Sequence, residues 1–209
     1  MIWCLTEPSD ELRNSVVTLK AVGELVRAGD LRAARDAIDS IEEGPLRSRW
    51  SKKNEVRERR GYVRFQAGPV EESRRTTAPK RSLLKAIYRR DGWHCRYCQI
   101  EVVDPVARGR LVAILNPRGA TPLWGNRDPE RHAALLNLSA SYDHVEARSS
   151  VVTADDDNLV TACWFCQFGK GAASLELLEM RDPRDRVPIE DEWDGWVSVL
   201  NVKAPRTTD

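Results

Sequence analysis

No apolar run in this sequence approaches the roughly 18 residues that a membrane-spanning helix requires, which excludes a helical span. The N-terminal stretch MIWCLTEPSDE is apolar only briefly and then turns acidic. It lacks the basic start and long apolar segment of a secretory leader, so a cytoplasmic location is expected, where thiols stay reduced. Internal repeats and long low-complexity tracts are missing as well. Net charge is close to absent, at +1. Cysteine is sparse and odd in number, at 5, which argues against a closed disulfide framework.

What is present is ordinary globular material. The 209 residues are 41% hydrophobic and 31% charged, enough for one medium domain or a compact domain with a helical extension. The near-zero net charge hides an asymmetry. Residues 47–90 hold 15 Arg and Lys against 4 Glu, whereas residues 140–209 hold 7 against 14 Asp and Glu. A basic block, interleaved with Trp50, Tyr62, Phe65 and Tyr88, suits a phosphate backbone. Arg89 and Arg90 at its end, with Arg148 and Lys170 further on, are the candidate nucleic-acid contacts. The competing reading of each charge cluster is a solvated helix face.

Residues 9–43 read as two helices. Leu12, Val16, Leu19, Val22, Leu25 and Val26 recur at helical spacing after Ser9 or Asp10, and Asp30 opens a second helix ended by Gly44 and Pro45. A third, basic helix is expected over 46–60, a connector over 61–79, and a short helix from Pro79 to the turn at Asp91 and Gly92. The stretch VARGRLVAIL is compatible with strand or helix. Residues 128–139 read as helix, with Asp128 as cap and Pro129 at the first position. The division expected is a helical N-terminal region over 1–78, open to a protein partner or a second copy, and a chemistry-bearing domain with a helical tail over 79–209.

Four of the cysteines form two CxxC pairs, Cys95 with Cys98 and Cys163 with Cys166. Two such pairs in a reduced compartment supply four thiolates for a tetrahedral structural zinc. A closed four-thiolate site leaves no position for water, so this ion is structural rather than catalytic. Cys4 reads as a small core residue and His94 as an ordinary, partly exposed histidine.

Between the pairs lies SYDHVEARSSVVTADDDNLVTACWFCQFGKG. Residues 141–145 alternate as a strand does, a polar loop runs through Asp157, residues 159–162 form a second strand, and a helix begins near Cys163. In Asp143-His144, Asn158, Gln167 and Lys170, flanked by CRYC and CWFC, the sequence resembles the HNH endonuclease family in its zinc-knuckle branch of bacterial and phage type. The likeness covers roughly residues 81–196. It implies an α+β fold, a ββα-metal HNH core with a four-cysteine zinc knuckle behind an α-helical N-terminal region. It further implies His144 as general base, Asp143 and Gln167 as ligands of a catalytic Mg²⁺ or Mn²⁺, Asn158 as the residue holding the loop that orients His144, and Lys170 as a phosphate contact. The implied activity is hydrolysis of phosphodiester bonds, in DNA before RNA. Two departures stand out. Gln167 occupies a position that is usually His or Asn, and the loop after His144 lacks the family's glycine pair. The rival reading is a non-catalytic zinc module that binds nucleic acid or protein.

Overall fold

The computed structural model describes residues 1–59, 79–116, 122–146 and 156–202. Helix α1, Asp10–Ala28, starts where the Ser9 hydroxyl accepts from the Leu12 N–H and buries Leu12, Val16, Leu19, Val22 and Val26. It closes at Gly29, whose φ of 84° is the left-handed geometry of a helix C-cap. Helix α2, Leu31–Asp39, is capped by Asp30, whose carboxylate accepts from the Ala33 N–H at 3.0 Å. Gly44 and Pro45 do not end α2. They lie in the first turn of α3, Glu43–Ser51, where a proline has no intrahelical hydrogen bond to lose. The single basic helix expected over 46–60 is two, α3 and α4, Glu55–Arg59, separated by a turn at residues 52–54. The connector expected over 61–79 lies almost wholly outside the described residues.

Helix α5, Arg81–Arg90, runs into the turn that carries Cys95 and Cys98. The ambiguous VARGRLVAIL lies in helix α6, Pro105–Leu115. The Asp104 carboxylate accepts from Val106 and Ala107 at 2.7 and 2.9 Å, and Pro105 sits at the first turn, so cap chemistry decides for helix. The helix expected over 128–139 is interrupted. Asp128–Glu130 is a 3-10 turn, and α7, Ala133–Leu138, begins only after it, with all six residues buried.

Strand β1, Ala140–His144, pairs antiparallel with β2, Leu159–Cys163, with Ala140 opposite Cys163 and His144 opposite Leu159. Helix α8, Trp164–Lys170, follows β2 without a loop. Among the described residues no α-helix follows Lys170. The helical tail expected there is turns and two 3-10 segments, Pro183–Asp185 and Val197–Asn201. Pro183 and the positive φ of Gly195 break helical continuation, and Gly195 lies where a Cβ would come within 2.6 Å of the Trp93 ring.

The architecture is therefore α+β, with helices around a two-stranded sheet and four cysteines gathered together. No described helix is long and apolar enough to cross a membrane. One apolar cluster runs from Leu12 through Leu46, Leu111 and Leu135 to Val199. The end of the chain is tied to its beginning, since the buried Trp196 indole donates to the Leu19 carbonyl at 2.9 Å.

Candidate metal centre and cleft

The first cysteine pair sits in a tight turn. The Cys95 N–H donates to the Ile100 carbonyl, the Gln99 N–H returns to the Cys95 carbonyl, and Gln99 adopts a φ of 58°. The second pair spans a strand-to-helix junction: Cys163 ends β2, and Cys166 lies in the first turn of α8. All four thiols are buried, none is in a disulfide, and their sulfurs lie within 4.8 Å of one another. Cys98 and Cys163 are 3.8 Å apart at sulfur. A tetrahedron with metal–sulfur bonds of about 2.3 Å has sulfur–sulfur edges of about 3.8 Å, so the group can hold a metal ion such as zinc. Burial works against charge on Cys95, but hydrogen bonds from Cys163, Cys166 and Cys98 outweigh it and draw this thiol well below its ordinary range. Hydrogen bonding to Cys163 pushes Cys98 and Cys166 up. Four thiols that share protons this closely are better satisfied by a cation.

β1 and α8 also form the wall of an open cleft of about 470 Å³, lined by Asp143, His144, Gln167, Tyr142, Trp164 and Phe168, among others. His144 is partly exposed, and its ring stands edge-on to Tyr142 with centroids 5.7 Å apart. Gln167 is one helical turn beyond Trp164 and so faces the same space.

Asp143 is buried. Its Oδ2 accepts from the Tyr97 hydroxyl at 2.6 Å and faces the Lys170 ammonium at 3.2 Å. Burial raises the carboxyl above its ordinary range, and Lys170 and Tyr97 oppose that rise. Tyr97 was not foreseen, because an aromatic between two cysteines carries no signal of its own.

Asn158 clamps the chain just after His144. Its Oδ1 accepts from the Glu146 N–H at 2.8 Å, its Nδ2 donates to the Glu146 carbonyl at 3.2 Å, and its own carbonyl accepts from Val145. This two-point contact, at Glu146, pins the chain two residues past the end of β1 at His144.

Other expected positions fall differently. Lys170 is 1% exposed and donates to the His144 carbonyl at 2.7 Å, so it supports β1 from inside and does not line the cleft. A lysine beside a helix end reads as solvent-facing until packing closes over it. Arg90 holds both Asp91 oxygens and the Leu159 carbonyl. It borders a different depression, with Asp157 and Arg184, and exposed Arg89 lies off the cleft too. Arg148, four residues after His144 in sequence, is outside the described residues. In place of these, the turn after α3 and helix α4 bring Lys53 and Arg57 to a second lobe of about 320 Å³ that shares Gln167 and Phe168 with the cleft. Arg57 is fixed there by the Phe168 carbonyl and Asn54, and Lys53 stands over the Trp50 ring at 4.5 Å. The general basic character of residues 47–90 was the signal, but the individual positions were not legible.

Compared with known proteins, the chain matches no family model, no curated protein and no solved structure.

Proposed function

We propose that this protein is a metal-dependent HNH endonuclease that hydrolyses phosphodiester bonds in nucleic acid, with DNA the expected substrate. The observation that carries the reading is the cleft itself: His144 of β1 and Gln167 of α8 line one open space, the buried carboxylate of Asp143 lies next to His144 in the same strand, and a buried four-cysteine group lies in the same fold. Among these groups, the imidazole is the one whose ordinary pKa suits proton transfer near neutrality. In the proposed reaction, His144 takes the proton of a water whose oxygen bonds to phosphorus. The bond from phosphorus to the leaving oxygen breaks, and the electron pair departs with that oxygen. Asn158 positions His144 by fixing the backbone at Glu146. A carboxylate and an amide oxygen are donors of the kind hard cations take. Asp143 and Gln167 would hold magnesium or manganese, which supplies charge stabilisation at the phosphate and leaving oxygen. Lys53 and Arg57 supply positive charge beside Gln167 for the flanking phosphates.

One observation favours the rival, a zinc module that binds without cutting: the Asp143 carboxylate already has a cation, Lys170, against it. Cleavage of supercoiled plasmid separates the two readings. The endonuclease reading expects nicking with magnesium or manganese, none with EDTA, and none by His144→Ala at unchanged zinc content. Retardation of DNA by both proteins with no cleavage by either supports the binding module instead.

A further inference from the structure

On the side of the cysteine turn occupied by the C-terminal segment, three further ligand atoms converge. The His94 imidazole and the carboxylates of Glu101 and Asp191 lie within 4.8 Å of one another. His94 and Glu101 face each other across an antiparallel bridge, and Asp191 arrives from residues far along the chain. His94 is 4% exposed, so it is not the partly exposed histidine its sequence suggested.

The group is arranged as a ligand set. His94 Nδ1 is 2.7 Å from the Gly92 carbonyl, so it carries the hydrogen. In the neutral imidazole that leaves the Nε2 lone pair facing Asp191 Oδ2, 3.6 Å away. Asp191 is held from its other oxygen, since Oδ1 accepts from the Trp193 N–H at 2.9 Å. The Asp191 segment is itself seated: a Cβ on Gly92 would lie 1.9 Å from the Ile189 carbonyl, and the Trp193 indole donates to the Val102 carbonyl. A cation is already drawn to the site, because Lys20 Nζ lies 2.8 Å from Glu101 Oε1. Zinc bonds of about 2.0–2.1 Å put tetrahedral ligand atoms about 3.3–3.4 Å apart, so the His94–Asp191 pair needs to close by only a few tenths of an ångström.

The geometry points to a second metal site, in which His94, Glu101 and Asp191 bind a zinc ion with one position left to solvent. The ion ties the C-terminal segment to the cysteine turn, and Lys20 competes with it for Glu101. This site is separate from the four cysteines and from the cleft, and it does not depend on the nuclease reading.

Zinc content of the full chain and titration with cobalt as a spectroscopic probe test it. The wild type is expected to bind two equivalents with these sites loaded, the second adding no thiolate-to-metal absorption. That equivalent is lost in His94→Gln and in Asp191→Asn and kept in Gln167→Ala, and Lys20→Met binds it more tightly. The proposal is overturned if the wild type binds only the thiolate-ligated equivalent. It is equally overturned if the second equivalent survives Asp191→Asn or disappears with Gln167→Ala. Should the buried His94 variant fail to fold, Asp191→Asn decides, since its carboxylate is exposed.

Discussion

Lys170 and Asp143 form an ion pair with almost no access to solvent. Such a pair adds little net stability, but removing one partner leaves an uncompensated buried charge. Lys170→Met is expected to cost about 3–5 kcal/mol in urea denaturation of the zinc-loaded protein, and adding Asp143→Leu should recover a large part of it. Recovery would show that the lysine serves the carboxylate and not a ligand. His132 offers a second test. Burial lowers its pKa from 6.5, and no hydrogen-bond partner meets its Nδ1. The folded state therefore prefers the neutral ring. As pH falls below 6.5 the unfolded chain takes up a proton that the folded chain refuses, so stability is lost toward acid. The expected loss from this group is at most about 1.4 kcal/mol per pH unit. Denaturation midpoints between neutral and mildly acid pH should fall more steeply for wild type than for His132→Gln.

At the scale of elements, helix propensity and packing oppose each other at Gly23 in α1. Propensity alone favours alanine over glycine in a helix interior by roughly 1 kcal/mol. Here a Cβ would come within 2.8 Å of the Trp196 indole nitrogen, and that ring is buried and bonded to Leu19. Overpacking of this kind costs about 1–3 kcal/mol, so Gly23→Ala is expected to lower the unfolding midpoint and shift the tryptophan emission. α1, α2, the sheet and α8 were legible because their signals are local: Ser9 and Asp30 as caps, alternation in β1, and cysteine spacing at the start of α8. The split of α3 from α4 and the late start of α7 were not, because Gly44, Pro45 and Pro129 are equally at home at a helix end and in a first turn.

Across the whole molecule, the four cysteines join two segments separated by 64 residues, while the apolar cluster joins both to α1 and α2. Binding of a structural zinc is coupled to folding, since the unfolded chain holds no preformed site. Stripping metal with a strong chelator from protein loaded with zinc is therefore expected to abolish the cooperative thermal transition and the near-ultraviolet dichroism, and returning zinc should restore both. A protein that keeps its transition after complete metal removal would show that the apolar cluster suffices without the cysteines.

The sequence by itself determined the local chemistry: which cysteines pair, where the strands and α8 lie, and that Asp143, His144 and Gln167 fall on them in order, with Asn158 just ahead of β2. These follow from period, cap and spacing, which act over a few residues. Only tertiary structure decided that Lys170 turns inward to Asp143, that Tyr97 caps the same carboxylate, that Lys53 and Arg57 flank Gln167, and that Asp191 meets His94. Each of those contacts joins segments whose approach depends on how the whole core closes, and no short-range pattern records that closure.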